Sequence, residues 1–170
     1  FGTRQRIVIE QYPKLERGQP YIFSATHSFD DDIISTLSAI DRNAYVLIGT
    51  TDQIEHNPQM YAGWLNGMIY VDRLDSQSRK DSVSKMVKVL KHGTSVLIFP
   101  EGGWNNTENL LVQPLFSGPY LVHQETGCPV VPIAAFHEHN SVKTYIRAGQ
   151  PMSFENMDKH ESLDALRDAM

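Results

Sequence analysis

The chain has 170 residues, the length of one folded domain, and 41% of them are hydrophobic against 21% charged. That composition is typical of a globular protein and excludes a disordered chain. Twenty acidic against fifteen basic residues give a net charge of −5, which argues against a nucleic-acid partner. Cys128 is the only cysteine, so an intrachain disulfide is excluded and a reducing compartment suits the chain.

No apolar stretch of the sequence reaches the ~18–20 residues that a membrane-spanning helix needs. The sequence starts at Phe1 rather than at a methionine, and no signal-peptide pattern follows. We therefore expect a single domain over residues 1–170, trimmed from a longer protein. A membrane anchor outside this segment stays an open alternative.

Short strands rich in β-branched and aromatic residues alternate with helical patterns along the chain. This alternation predicts an α/β fold with a mixed, mostly parallel sheet flanked by helices. The continuous apolar run 95–99 is typical of a buried central strand, whereas Pro129 and Pro132 place the strand 128–136 at an edge or a strand end. The other predicted strands are 21–25, 44–49, 68–72 and 144–148.

Helices are predicted between these strands from apolar residues at helical spacing and from end signals. One helix spans 58–65 with Asn57 as its N-cap, and another has its apolar stripe around Met86 and ends at His92-Gly93. Two more cover 116–126 and 162–170, and residues 103–114 are predicted as a surface loop. The helix after the first strand presents one apolar face, formed by Phe29, Ile33, Ile34, Leu37 and Ile40.

A histidine follows the first predicted strand, and an aspartate comes five positions later in the next helix. This spacing lets Asp32 fold back to the imidazole of His27. A carboxylate on one ring nitrogen fixes the tautomer and raises the basicity of the other, as a base that activates an alcohol requires. The neighbouring Asp30 and Asp31 are interpreted as acids that favour a helix N-terminus.

Two further segments end predicted strands in polar residues. GMIYVDR ends at Arg73, and FPEG ends in Glu101 and Gly102. Ligands of an open α/β sheet bind beyond the carboxyl ends of its strands. We therefore expect His27, Arg73 and Glu101 to converge on one cleft.

Four short motifs together resemble the glycerolipid acyltransferases, the 1-acylglycerol-3-phosphate acyltransferase (PlsC-like) family. HSFDDD, from His27 to Asp32, matches the family's signature of a histidine and an aspartate separated by four residues (HX4D). GMIYVDR, FPEG and VVPIA resemble the family's second, third and fourth blocks and occur in the family's order over residues 27–134. The resemblance implies a glycerol-3-phosphate acyltransferase-like fold and a reaction of phospholipid biosynthesis. In that reaction a fatty acyl group passes from acyl-CoA or acyl carrier protein to a lysophospholipid or glycerol-phosphate hydroxyl.

By position in these motifs, the resemblance implies that His27 is the general base and Asp32 its orienting partner. It implies that Arg73 holds the acceptor phosphate and that Glu101 and Gly102 help to bind the acceptor and shape the cleft. No cofactor and no metal are implied, because acyl-CoA or acyl carrier protein is a co-substrate.

Alternatives to these roles stay open. Arg73 could instead form a surface salt bridge with Asp72 or Asp75, and Glu101 could simply brace its loop.

The third block also departs from the family, which commonly continues with threonine and arginine where this chain has Gly103 and Trp104. A second basic phosphate contact is missing there. The acceptor is therefore open between a lysophosphatidate and a lipid hydroxyl or amine without phosphate, with Trp104 as a wall of the site.

Because the substrates are amphiphiles, we expect peripheral association with the inner, cytoplasmic face of a membrane. An apolar rim near the cleft, or a segment outside this chain, would make the contact.

Two rival classes of function stay open as alternatives. A metal-dependent hydrolase could use His27, the aspartates after it, Glu101 and the run His137-Glu138-His139, but no metal-ligand spacing is complete. An inactive lipid-binding module is disfavoured by the His27/Asp32 pair.

Overall fold

The computed structural model describes residues 6–27, 32–49, 58–138 and 141–170. Seven strands of these residues form one sheet in the order β1-β7-β6-β2-β5-β3-β4. Every pair is parallel except β6 with β7, so the predicted mixed, mostly parallel sheet is confirmed. The strands are β1 (Arg6–Gln11), β2 (Ile22–Ala25), β3 (Ala44–Gly49), β4 (Met68–Val71), β5 (Ser95–Ile98), β6 (Val130–His137) and β7 (Lys143–Ala148).

Helices cover both faces of this sheet, because alternate side chains of its central strands point to opposite faces. Phe23 belongs to the core on the face of α1, whereas Ile22 belongs to the core on the face of α3, α4 and α5. Both side chains have no exposed surface. The helices are α1 (Asp32–Ala39), α2 (Pro58–Leu65), α3 (Ser76–Lys91), α4 (Gly118–Thr126) and α5 (Lys159–Ala169).

Helix α5 begins three residues before the predicted start at residue 162. Its N-cap Asp158 accepts from the main-chain N–H of Glu161 and of His160, and the Glu161 carboxylate accepts from the N–H of Asp158 in return. The hydrogen bonds from Glu161 and His160 lower the pKa of Asp158. This capping box was visible in the sequence as an aspartate followed by a glutamate three positions later.

Strand β6 is an interior strand, so of the two positions predicted from its prolines, an edge or a strand end, the edge is wrong. It pairs with β2 on one side and with β7 on the other. The antiparallel ladder begins only at Ile133 and Ala148, and the carbonyl of Pro132 accepts from the N–H of Gly149 at 2.9 Å. The nitrogen of Pro132 points to the same side as its carbonyl, just beyond the end of β7, so its missing N–H leaves no gap in the ladder.

Helix α1 turns most of its predicted apolar face to the sheet. Ile33, Leu37 and the following Ile40 pack into the core on that side, as the pattern predicts, whereas Ile34 is 66% exposed. The buried residues also include Asp32, Ser35, Thr36 and Ala39, so the buried side extends to small and polar residues that the apolar pattern does not mark. Two other predicted positions, Phe29 and the N-cap Asn57, lie outside the described residues.

Candidate active site

The end of strand β2 and the start of helix α1 place a histidine beside a buried carboxylate. The distance between Nδ1 of His27 and Oδ2 of Asp32 is 2.8 Å. The Asp32 side chain has no exposed surface, and the His27 side chain is 18% exposed. The contact predicted from the five-residue spacing is confirmed, while Asp30 and Asp31 lie outside the described residues.

This contact decides which nitrogen of the imidazole is basic. An ionised carboxylate only accepts hydrogen bonds, so Nδ1 of His27 carries the proton and donates, and Nε2 keeps its lone pair. The ring is also held by aromatic neighbours: its centroid lies 4.8 Å from that of Phe99 and 6.2 Å, edge-on, from that of Trp104. The arrangement suits abstraction of a proton from a hydroxyl by Nε2.

The segment after strand β5 holds the main chain of His27 at both of its polar groups. Oε1 of Glu101 accepts from the N–H of His27 at 2.9 Å, and Oε2 accepts from the N–H of Gln113 at 2.7 Å. The N–H of Asn105 donates to the carbonyl of His27 at 2.8 Å. Glu101 is only 4% exposed, so the structure gives it the bracing contact; a direct contact with the acceptor stays a prediction.

Arg73 follows strand β4, and its guanidinium lies between two glycines. A methyl group built on Gly49, the last residue of β3, would overlap this guanidinium. A methyl group on Gly102 would lie 3.2 Å from Nη1 of Arg73 and 2.5 Å from Cε2 of Phe116. Gly102 also has a φ of +72°, which disfavours any side chain. Arg73 therefore lies against Gly102, the neighbour of Glu101, whose carboxylate accepts from the N–H of His27. The three strand ends meet as expected; that they line one cleft stays a prediction.

The salt bridge considered for Arg73 is not formed. No carboxylate of the described part of the chain lies within 4.0 Å of its guanidinium. The Asp72 carboxylate accepts from the N–H of Leu74, and the Asp75 carboxylate caps α3 by accepting from the N–H groups of Gln77 and Ser78. The exposed guanidinium can therefore bind an anion from outside the protein.

Three residues of this site were not singled out from the sequence. Asn105 and Gln113 contribute main-chain N–H groups, which no side-chain motif marks. Gly49 carries a signal that could have been used, because it ends a strand at the carboxyl edge of the sheet.

The described residues show neither a metal-binding cluster nor a membrane-spanning helix. These residues contain no group of three or more histidine, cysteine, aspartate or glutamate side chains placed to hold a metal ion. His139, one of the ligands considered for a hydrolase, lies outside them. Across the same described ranges, no helix has the length and apolar character needed to cross a bilayer.

Comparison with known proteins gives relatives of one kind. The 1-acyl-sn-glycerol-3-phosphate acyltransferase of Saccharomyces cerevisiae is 25% identical over 89% of this chain and 54% of the yeast protein. The chloroplastic 1-acyl-sn-glycerol-3-phosphate acyltransferase BAT2 of Brassica napus is 28% identical over 67% of this chain and 32% of that protein. The chain thus spans about half or less of the length of these curated relatives.

The fold has a solved counterpart. The crystal structure of the 1-acyl-sn-glycerophosphate acyltransferase PlsC from Thermotoga maritima superposes with a TM-score of 0.72, over 96% of this chain and 68% of that chain. At 15% identity this similarity shows the fold. A family model described as Acyltransferase matches residues 6–135, from β1 into β6 and through all four motifs. The chain therefore belongs to the acyltransferase family and has a PlsC-like fold.

Proposed function

We propose that this chain is the catalytic domain of a 1-acyl-sn-glycerol-3-phosphate acyltransferase of phospholipid biosynthesis. It moves a fatty acyl group from a thioester, acyl-CoA or acyl carrier protein, to the hydroxyl of a lysophospholipid or glycerol phosphate. The observation that carries the proposal is the buried Asp32 carboxylate 2.8 Å from Nδ1 of His27, at the strand ends where Arg73 also lies. The names of the relatives from yeast and Brassica napus support the same reaction.

The reaction needs one base and no acylated residue. Nε2 of His27 takes the proton of the acceptor hydroxyl as its oxygen attacks the thioester carbonyl carbon. The tetrahedral intermediate then collapses: the C–S bond breaks, the ester C–O bond remains, and the departing thiolate takes the proton from Nε2. Asp32 stays ionised and stabilises the imidazolium between the two proton transfers. A thioester is activated enough for this direct attack.

Arg73 holds the phosphate of the acceptor in this proposal. A guanidinium presents two parallel N–H groups that match two phosphate oxygens, and charge-assisted hydrogen bonds of this kind are about twice as strong as neutral ones. The absence of a carboxylate partner among the described residues supports this role. Gly49 and Gly102 leave the space in which the guanidinium lies.

Glu101 and Gly102 hold other parts of the site in place rather than bind the acceptor. Glu101 is a positioning residue, because its carboxylate joins the main chain of His27 to that of Gln113. Gly102 allows Arg73 and Phe116 to approach the strand end together. Both roles shape the cleft without requiring contact with the acceptor.

A second candidate acceptor, a lipid hydroxyl or amine without phosphate, is favoured by Trp104. Its indole lies edge-on to the imidazole of His27, with a centroid distance of 6.2 Å, and the residue is 50% exposed. An apolar acceptor could pack on this surface next to the base. The two candidates differ in whether Arg73 is needed.

Peripheral membrane association at the inner, cytoplasmic face is part of the proposal. Exposed apolar side chains border the cleft: Leu74 follows Arg73, and Phe116 contacts the Gly102 position. Such a rim can enter the headgroup region, where amphiphilic substrates reside. This apolar rim consists of Leu74 (86% exposed), Trp104 (50%), Leu110 (51%), Leu111 (98%) and Phe116 (61%).

Liposome flotation tests the rim. Leu111→Asp should reduce flotation of the full-length protein with anionic liposomes. Leu65→Asp is the matched control, because Leu65 is 64% exposed but lies just before β4, at the opposite end of the sheet. Equal flotation of wild type and Leu111→Asp would contradict the role of the rim.

The reaction itself is tested with labelled acyl-CoA, acyl carrier protein and a panel of lysolipids. We expect label in the diacyl product when lysophosphatidate is the acceptor. Label only with acceptors that lack phosphate would select the second candidate. No labelled ester or amide with any acceptor, or hydrolysis of the thioester that depends on added metal, would overturn the proposal.

A further inference from the structure

Helix α3 places a second arginine at the same end of the sheet as Arg73. Strands β4 and β5 both run parallel to β3, so α3, which connects them, runs the opposite way and begins at their carboxyl ends. Arg79 lies in its first turns, on the face whose later residues Ser82, Met86 and Leu90 are buried. Unlike them it is exposed, because it lies beyond the covered part of the sheet.

A hydrogen bond fixes where the Arg79 side chain ends. Its Nη1 donates to the main-chain carbonyl of Arg73 at 2.5 Å. The guanidinium of Arg73 leaves this same residue toward Gly49 and Gly102. Two guanidinium groups thus lie at the connection between β4 and α3. That of Arg73 extends to the two glycines, and that of Arg79 is bonded to the main chain of Arg73.

Within the part of the chain that the structure describes, neither arginine has an acidic partner. No carboxylate of the described ranges lies within 4.0 Å of the guanidinium of Arg73 or of Arg79. The two aspartates of this connection, Asp72 and Asp75, accept instead from main-chain N–H groups. Two positive charges near one strand end, without an acidic partner among these residues, can attract an anion from outside the protein.

The opposite wall of the cleft offers no such cation. Residues 101–117 contain neither lysine nor arginine. This stretch includes Gly103, on which an added methyl group would lie 4.0 Å from Nη1 of Arg73. A phosphate monoester carries a charge of about −1.5 to −2 near pH 7, more than one guanidinium neutralises. The positive charge that matches it must come from the β4–α3 side.

We infer that Arg79 is the second cationic contact of the acceptor phosphate and so determines the preference for phosphorylated acceptors. This inference rests on the proposed function. Arg73 binds the phosphate from the side of the glycines, and Arg79 binds it from the start of α3. Without a phosphate, Nη1 of Arg79 donates to the carbonyl of Arg73, which keeps the side chain at the residue that binds the phosphate.

The competing explanation is that Arg79 only ties the main chain of Arg73 in place. A double-variant cycle separates the two, since an effect that acts through Arg73 disappears once Arg73 is removed. Arg79→Met should raise the KM for lysophosphatidate about tenfold, with kcat and the donor KM within about twofold. In the Arg73→Ala background it should raise the KM again. Arg79→Lys should recover part of the loss, and Lys80→Ala, the next residue of α3, should have no effect.

Two results of these kinetics would overturn the inference. The first is an unchanged acceptor KM in Arg79→Met. The second is an increase that vanishes in the Arg73→Ala background, which would assign Arg79 to positioning alone. Either result leaves the proposed function standing, because the wild type still transfers the acyl group.

Direct binding of inorganic phosphate by the full chain provides a readout that does not depend on activity. Calorimetric titration should give a dissociation constant that is about tenfold higher for Arg79→Met than for the wild type. This outcome supports the anion site even if no acyl transfer is detected. Absence of binding to the wild type, or equal binding to both proteins, overturns it.

Discussion

The two halves of the site differ in how their polar groups are used. On the His27 side they are committed to the protein: Nδ1 is bonded to a fully buried Asp32, and the main-chain N–H and carbonyl are held by Glu101 and Asn105. On the arginine side, the guanidinium of Arg73 is exposed and has no carboxylate partner among the described residues. The first half holds a base in one orientation, and the second half can bind an anion from outside the protein. Variants of the first should therefore change kcat, and variants of the second should change the acceptor KM.

The largest effect should come from His27→Ala. Loss of a positioned base typically costs ~10²–10⁴-fold in rate, so kcat for acyl transfer should fall by that factor with the fold preserved. Steady-state kinetics and circular dichroism measure the two quantities. His92→Ala, a histidine at the far end of α3, is the control that should behave as wild type. Near-normal turnover by His27→Ala would contradict the role of His27 as the base.

Asp32→Asn should be nearly as damaging, because an amide neither fixes the tautomer of His27 by charge nor stabilises the imidazolium. We expect a fall in kcat of ~10²-fold or more at an unchanged donor KM. Asp30→Asn and Asp31→Asn are the matched controls within the same motif, and each should keep most of the activity. If Asp31→Asn lost as much activity as Asp32→Asn, the pairing of His27 with Asp32 alone would be wrong.

Arg73→Ala should raise the acceptor KM rather than lower kcat. A hydrogen bond to a charged group contributes ~1.5–3 kcal/mol, which corresponds to a KM increase of roughly tenfold to a hundredfold. Arg73→Lys should recover only part of this loss, since an ammonium lacks the planar fork. Acceptor and donor titrations of the same preparations measure both constants. An acceptor KM that stays at the wild-type value would favour an acceptor without phosphate, in contact with Trp104.

Gly49→Ala should displace the guanidinium of Arg73 without removing it, so its effect should be smaller than that of Arg73→Ala. The added methyl would overlap the guanidinium of Arg73, which can move because it is the end of a flexible side chain. We expect the acceptor KM to rise by about threefold to tenfold, since the charge stays in the cleft but is displaced. The unfolding temperature should not change. Gly118→Ala, whose new methyl would lie 3.9 Å from Cγ2 of Ile98, is the control without such an overlap, and equal KM values for the two variants would contradict this expectation.

Much of the fold follows from local pattern. The strand 44–49 and the helix 58–65 have the predicted bounds, because apolar β-branched runs and a proline in the first turn are local signals. The apolar pattern of α1 predicted correctly that Ile33, Leu37 and Ile40 pack into the core. It did not predict that Ile34 is exposed or that the polar Asp32 is buried, because Asp32 is held by its contact with His27. Strand β1 was not predicted, although Ile7, Val8 and Ile9 form a β-branched run. Its partner β7 lies more than 130 residues away in sequence, so local pattern could not show that this run joins the sheet.

The same distinction holds within the site. The contact between His27 and Asp32 spans five residues and was predictable from their spacing. The hydrogen bond from the N–H of His27 to Glu101 spans 74 residues and depends on how the chain leaves β5. The position of Arg79 depends on the direction of α3, which only the pairing of β4 and β5 with β3 establishes.

The division of labour between the two halves is tested most directly by one steady-state experiment. It measures kcat and the lysophosphatidate KM for wild type, His27→Ala and Arg73→Ala under the same conditions. We expect His27→Ala to lower kcat with a KM close to that of the wild type, and Arg73→Ala to raise the KM with kcat largely kept. A His27→Ala protein that keeps its kcat, or an Arg73→Ala protein that loses kcat at an unchanged KM, would contradict this expectation.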